Sequence, residues 1–354
     1  MGVKFKLGST IWAPCALLIC GMLLSACGQL NTSPPTNKWV RLGIFGNGGG
    51  ISCPSTTDCW ITSTSGSLLH TTDAGASWRR VPVDTGSPVQ VVSISCPTTV
   101  RCVGTGLYQS GSTESTELIS SDDGGVTWFG QDSGLSGYPG EISCVNSSFC
   151  YGTALQNWFT TTNGGQSWWV SPTHDPNVLL GPMNCQSPRN CVLVGQTMPY
   201  GNTSVVWRST DGARRFELVG KLLPSVLDPL QCFTVKTCIG QAGTLSGIQI
   251  QILITHNAGA SWTVLRSIPT SYTQPTYVKT WCWSASSCLV AEAAGTLRFP
   301  FTLTTHNDFK SVTEQRLPFG TGSINQITCP SSLVCFAVGQ TTDLRGEVFR
   351  LSFD

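Results

Sequence analysis

Charge is scarce in this chain and neither sign is in excess: 19 acidic side chains face 20 basic ones among 354 residues. That balance offers no electrostatic basis for gripping nucleic acid or an anionic membrane face. Histidine is rarer still, with four residues in all, which leaves little for a histidine-based metal site. No Gly-x-Ser-x-Gly elbow, phosphate-binding glycine loop or His-Glu-x-x-His helix occurs, so the common nucleophile, nucleotide and zinc-hydrolase signatures are missing. Neither a cofactor nor a resident metal is expected. Beyond residue 26 no apolar stretch approaches the ~20 residues that span a bilayer. Helical periodicity is absent as well. Short alternating runs broken by turn residues take its place, the pattern of an all-β chain.

Cysteine, by contrast, is plentiful and ordered. Fourteen of the 17 fall into seven pairs with five residues between members: Cys53/Cys59, Cys96/Cys102, Cys144/Cys150, Cys185/Cys191, Cys232/Cys238, Cys282/Cys288 and Cys329/Cys335. The first members recur every 41 to 50 residues, the period of a β-propeller blade. An even set at fixed spacing suits local disulfides in an oxidising compartment. Zinc is the alternative, but it needs about four ligands and each repeat offers two thiolates. The grammar is clearest in the second repeat, where Val91–Cys96 reads as a first strand and Cys102–Tyr108 as a second. Each pair is thus expected to bridge the first and second strands at their turn.

The other three cysteines belong to the N-terminus. Lys4 and Lys6 precede an apolar run from Ile11 to Leu24, and Leu24-Ser25-Ala26-Cys27 follows. Basic, apolar and small residues in that order form a secretory signal. The last four residues resemble the lipobox of bacterial lipoproteins, which implies cleavage before Cys27 and acylation of that residue. Residues 1–26 are then a signal peptide, and 27–37, with Pro34-Pro35, a polar tether. An uncleaved anchor helix over Leu7–Ala26 is the other reading. Several acyl chains would hold the protein durably at the bacterial cell envelope or surface.

Residues 38–354 carry a second marker in phase with the cysteines. It is a Ser/Thr-x-Asp/Asn-x-Gly-x-Ser/Thr-Trp box, found at Thr71–Trp78, Ser121–Trp128, Thr161–Trp168 and Thr255–Trp262, with degenerate copies at Ser209–Phe216 and Thr305–Val312. The acid or amide accepts turn amides, glycine takes a left-handed φ, and the Trp can wedge between neighbouring sheets. These residues are therefore read as structural. The seventh repeat has no box: after Cys335 there is room only for a third strand, Glu347–Phe353. Trp39-Val40-Arg41 reads as a fourth strand without a blade. The two are expected to combine, giving a seven-bladed propeller closed by its N-terminal strand, with one disulfide per blade and no exposed edge.

Cysteine turns and boxes fall on one side of such a ring. The opposite side collects the more variable segments Gly130–Glu141, Ser171–Pro182, Gln196–Ser204 and Arg266–Lys279, and loops on a rigid scaffold are where binding concentrates. Glu141, Asp228 and Lys279 precede first strands, nearest the axis, with Tyr277 and Gln326 close by. Tyr277, Lys279 and Gln326 are ligand-face candidates. Glu141 and Asp228 are the candidate acid and base should the site cleave glycosides, a reaction that needs two suitably spaced carboxylates.

The boxes and blade period resemble the Asp-box (BNR) repeat propellers, a superfamily that includes sialidases, some endoglucanases, sortilin-type receptors and photosystem II assembly factor propellers. The resemblance covers residues 38–354 and implies architecture. The early Arg-Ile-Pro motif of sialidases does not occur; Leu297-Arg298-Phe299-Pro300 lies late in the chain. The repeated cysteine pairs resemble a bacterial exported branch. The expected function is a monomeric, non-enzymatic binding or assembly scaffold for an envelope protein or glycan, with no nucleic-acid partner. A glycoside hydrolase or lyase is the alternative, and a purely structural envelope protein a third reading.

Overall fold

Short alternating runs joined by tight turns can bury one face only by pairing into sheets and stacking those sheets. The computed structural model of the chain describes residues 38–353 except 47, 64–65, 87, 111–112, 172–176, 199–202, 221–225, 244–248, 270–278, 293–300 and 319. Residues 1–37, on which the expected signal peptide, tether and acylated Cys27 fall, lie outside the described residues. What is described is all-β, with seven four-stranded antiparallel sheets arranged as the blades of a propeller.

In chain order, β1 (Trp39–Phe45) comes first and belongs to the last blade. Blade 1 is β2 (Gly48–Ser52), β3 (Cys59–Ser63), β4 (Ser67–Thr71) and β5 (Arg79–Pro82); blade 2 is β6 (Val89–Ser95), β7 (Cys102–Ser110), β8 (Thr113–Ser121) and β9 (Phe129–Ser136). Blade 3 holds β10 (Ile142–Cys144), β11 (Cys150–Ala154), β12 (Asn157–Thr161) and β13 (Trp169–Val170). Blade 4 holds β14 (Val178–Cys185), β15 (Cys191–Thr197), β16 (Ser204–Ser209) and β17 (Glu217–Leu218). In blade 5 follow β18 (Val226–Cys232), β19 (Cys238–Gly243), β20 (Gln249–Thr255) and β21 (Thr263–Pro269), and in blade 6 β22 (Lys279–Ser284), β23 (Ser287–Glu292), β24 (Phe301–Thr305) and β25 (Thr313–Arg316). Blade 7 combines β26 (Thr321–Ser331), β27 (Val334–Thr341) and β28 (Gly346–Ser352) with β1 as its outer strand.

All seven cysteine pairs are disulfides: Cys53–Cys59, Cys96–Cys102, Cys144–Cys150, Cys185–Cys191, Cys232–Cys238, Cys282–Cys288 and Cys329–Cys335. Each ties first to second strand near the turn, where Cys144 is the register partner of Cys150 and Cys232 of Cys238. Cys288 bonds Cys282 and is its register partner, as expected, but unlike Cys102 in blade 2 it does not open its strand: β23 begins one residue earlier, at Ser287. The ladder of blade 6 runs past the disulfide, shifts register between Cys282 and Ser284, and ends on Ser284↔Ser287. A bulge in the turn thus moves the bridge into the strand. Cys335 is displaced in the same way, with Val334 ahead of it paired to Ser331.

The box turns are built as their residues dictate. In blade 1, Thr71 Oγ1 accepts from Gly75 N at 2.9 Å, and Asp73 Oδ1 accepts from Ser77 N at 2.9 Å. The degenerate copies keep the same backbone: Ala213 and Phe309, both at φ 60°, take the left-handed place of Gly75 and still donate to Ser209 and Thr305.

The two sequence markers touch, which explains why they run in phase. In six blades the fourth box residue donates its amide to the carbonyl two residues before the second cysteine: Ala74 to Thr57, Gly124 to Val100, Gly164 to Ser148, Gly212 to Arg189, Ala258 to Lys236 and Asp308 to Ser286. Box turn and disulfide turn therefore share one face of the ring. In blade 7 the Phe353 amide donates to Leu333, which also stands two residues before a second cysteine.

Blades adhere through mixed cores. Trp60 and Leu68 of blade 1 pack with Val91, Ile119 and Trp128 of blade 2. Gly125 sits so close that a Cβ there would come 2.3 Å from the Trp60 ring, so only glycine fits. In blade 7, β1 runs antiparallel to β28 from Trp39↔Leu351 to Phe45↔Gly346. Trp39 is buried, and its indole N–H donates to Thr302 of blade 6 at 2.9 Å. Arg41 Nε donates to the fully buried Glu347 at 2.9 Å. One segment departs from its expected form. The first half of Gly130–Glu141 is strand, because Gly134 at φ 71° and a register shift between Thr116 and Glu117 let the β8–β9 ladder continue to Ser115↔Ser136.

Candidate functional site

The first strands of the seven blades surround a central cavity of about 480 Å³. Its lining runs from Gly140 and Glu141 at one end to Cys53, Cys96 and Cys144 at the other. In four blades the polar residue just before the first cysteine reaches the next blade. Ser52 accepts from Cys96 N at 2.9 Å, Ser95 from Cys144 N at 3.1 Å, and Asn184 from Cys232 N at 2.9 Å. Gln231 forms a two-bond clasp with Cys282, at 2.8 and 2.6 Å. Blade 3 solves the same problem differently: the buried Tyr151 hydroxyl bonds Ser143 and the Cys185 backbone, and burial pushes its pKa up. Blade 6 offers Trp281 at this position, which packs against the core of blade 7.

The predicted site residues separate into three groups. Gln326 lines the cavity, and its Oε1 accepts from Ile51 N at 2.7 Å, joining blade 7 to blade 1. It staples the ring as well as facing the channel. Glu141 and Lys279 come together: Lys279 Nζ of blade 6 lies 3.8 Å from Glu141 Oε1 of blade 3. The glutamate side chain is 68% exposed and the lysine 20%, so the pair contributes at most about 1 kcal/mol and can open. Lys279 is the first residue of β22 and Asp228 the third of β18, so neither precedes its strand as expected. Asp228 falls where the ladder skips from Leu227 to Leu230, because the adjoining Pro229 has no N–H to donate. The Asp228 side chain and all of Tyr277 lie outside the described residues.

Sequence reasoning missed one buried constellation of the kind that catalysis uses. His70 Nε2 lies 3.2 Å from Asp58 Oδ1, its Nδ1 lies 2.9 Å from Arg79, and its ring stacks on Trp60 at 3.7 Å. Burial, ahead of the opposing pull of Asp58, lowers the His70 pKa. Both ring nitrogens are engaged, so the cluster works as a core contact. Its one sequence signal is that His70 and Arg79 are cross-strand partners. Among the described residues no group of three or more His, Cys, Asp or Glu is placed to hold a metal ion.

No family model and no curated protein matches the chain by sequence. Solved structures do match by fold. A structure of YCF48 bound to D1 peptide is 15% identical, with a TM-score of 0.64 over 90% of this chain and 95% of that one. The GH74 enzyme of Niastella koreensis is 16% identical at TM-score 0.61, and 88% of this chain covers 53% of it. U3-55K is 12% identical at TM-score 0.63, with 90% of this chain covering 100% of that one. Their shared architecture places the chain among the β-propellers, and at these identities the likeness shows the fold alone. Within that class it is a seven-bladed propeller with a disulfide in every blade.

Proposed function

We propose that this chain is an exported, lipid-anchored member of the Asp-box (BNR) repeat propellers that serves as a non-enzymatic binding or assembly scaffold. Its partner is a protein taken at the channel mouth opposite the disulfides. The observation that carries this reading is the Glu141–Lys279 pair, which joins blades 3 and 6 at the cavity with an exposed acid and a more buried base. An exposed, weakly held pair is readily exchanged for a partner's own charges. YCF48 is another propeller of this size, and its structure holds a peptide. Seven disulfides suit an exported location. Cys27 is the lipid attachment site, and Tyr277 and Gln326 extend the binding face.

Cross-linking and mass spectrometry of the tagged, lipidated protein from its native cells test this. A stoichiometric protein partner should be recovered, and the double charge reversal Glu141→Lys/Lys279→Glu should lose it. Equal recovery by the parent and the double variant would refute the channel-mouth assignment. A second reading is a glycoside hydrolase or lyase acting through Glu141 and Asp228, favoured by the glycoside hydrolase among the similar folds. Glycan turnover abolished by Glu141→Gln and by Asp228→Asn would replace the first reading with this one.

A further inference from the structure

Two grooves lie between successive blades on the disulfide face, away from the channel mouth, and they are built alike. One, of about 440 Å³ between blades 2 and 3, contains Phe129 with Arg101, Asp122, Gln131 and, from the next turn, Gln166. The other, of about 360 Å³ between blades 3 and 4, contains Trp169 with Thr162, Ser167 and, from the next turn, Asp211 and Arg214. The residues correspond by position. Each ring directly follows the box Trp, Asp122 and Thr162 are second in their boxes, and Gln166 and Arg214 are sixth in theirs. Elsewhere the position of the ring holds Arg79, Glu217, Thr263 or Thr313. The turn Thr161–Trp168 contributes to both grooves, so they adjoin.

The two rings reach solvent, Phe129 at 62% and Trp169 at 40%, the latter with its covered side tilted against Trp158 at 6.4 Å. Burial in the blade interfaces is already supplied by the box residues Trp128 and Trp168 beneath. Hydroxyl, amide, guanidinium and carboxylate groups border both rings, and in the second groove Phe149, Trp168 and Pro188 add apolar surface beside them, a mixture of ring faces and polar groups rather than a purely apolar patch. Charges in each groove balance: Arg101 lies 3.8 Å from Asp122 in one, and Asp211 and Arg214 share the other. An aromatic face bordered by planar polar groups suits a pyranose ring, with its C–H face on the aromatic and its hydroxyls on the fork-like partners.

We propose that these adjoining grooves form a tandem binding site for a neutral, linear polysaccharide. Two equivalent grooves on consecutive repeats match a ligand that itself repeats. The site is separate from the channel mouth, and neither Glu141 nor Lys279 takes part in it.

Affinity electrophoresis of the full chain through gels containing soluble β-glucan, galactomannan or glycol chitin provides the test. At least one of these should retard the protein. Trp169→Ala and Phe129→Ala should each weaken that retardation, by up to about tenfold in affinity, and the double variant should remove it. Trp169→Tyr should keep most of it, and Glu141→Gln should leave it unchanged. Unaltered melting temperatures will show that the alanine variants are folded, as exposed positions allow. Absence of retardation by all three polymers overturns the proposal, as does retardation that the double variant retains. A protein partner lost by the double variant, with no glycan binding, would overturn it in favour of a protein interface. Failure of the channel-mouth reading would leave these results untouched.

Discussion

Blades 3 and 7 hold their outer strands by opposite means. In blade 3 the outer strand is only Trp169–Val170, paired through Phe159↔Val170 and Thr160↔Trp169. The preceding turn secures it, with Gly165 N donating to Thr161 and Ser167 N to Asn163. In blade 7 no turn leads into the outer strand, since β1 comes from the other end of the chain. Compensation comes from length and side chains: a seven-residue strand, the buried Trp39, and the Arg41–Glu347 pair. A few local hydrogen bonds in a covalently connected turn thus do the work of a long ladder plus a charge clamp. The difference is what loop-closure entropy demands, because a strand arriving from a distance must gain more on docking.

Removing Lys38–Phe45 should cost blade 7 the most. The loss of a buried Trp and of the partner of a buried carboxylate should total 5 kcal/mol or more, roughly, read as a collapse of the urea midpoint. A midpoint within the error of the intact chain would show that β1 is dispensable. Arg41→Ala should come next, at about 3 kcal/mol at neutral pH, because it strands Glu347 in the core. Burial already raises the Glu347 pKa, with Arg41 opposing the shift. For an acid raised in this way, the folded state binds more protons than the unfolded state between the ordinary and the raised value. Its stability is therefore full below the ordinary glutamate range and falls as pH rises through the folded pKa. The deficit of Arg41→Ala should accordingly shrink as pH is lowered towards the ordinary glutamate range, and a deficit constant with pH would break the clamp argument.

In blade 3, Thr161→Val should cost about 2 kcal/mol by leaving the buried Gly165 amide without its acceptor. The smallest effect belongs to Asn163→Asp. At neutral pH it should lie within about 0.5 kcal/mol of the parent, because blades 1 and 2 carry Asp73 and Asp123 in the same turn. The hydroxyl partner merely reverses its role: Ser77 donates to Asp73 at 2.6 Å, whereas Ser167 accepts from Asn163 at 2.9 Å. The aspartate should add acid sensitivity. Hydrogen bonds from Ser77 hold Asp73 at about 2, and those from Thr127 hold Asp123 there too. Such a depressed carboxylate adds stability above its ordinary value near 4 and loses it as pH falls towards about 2. Identical acid unfolding of parent and variant would count against this.

The architecture was legible in the sequence because its markers are local. A disulfide closes over six positions and a box turn over four, so spacing alone reveals them. Even so, spacing could not say that Cys288 would sit inside its strand, since that depends on a bulge in the turn it closes. Contacts made by the ring were not legible. Glu141 and Lys279 could each be set at the start of a first strand, but only the circular arrangement brings blades 3 and 6 into reach. Gln326 showed no sign of stapling blade 7 to blade 1, a contact spanning 275 positions. Ser52, Ser95, Asn184 and Gln231 were visible as polar residues before cysteines, yet each finds its partner in the next repeat. Phe129 and Trp169 went unnoticed beside the recurring Trp128 and Trp168, whose burial had already explained the aromatic signal.

The short span of every bridge has a consequence for how the molecule is made. Fourteen thiols can combine in on the order of 10⁵ ways, and a chain that had to search them would become trapped in scrambled forms. Here each cysteine finds its partner across a single hairpin turn, six positions away. The correct pairing is also the nearest one along the backbone, so oxidation can proceed hairpin by hairpin while later repeats are still emerging. Reshuffling then has little to correct.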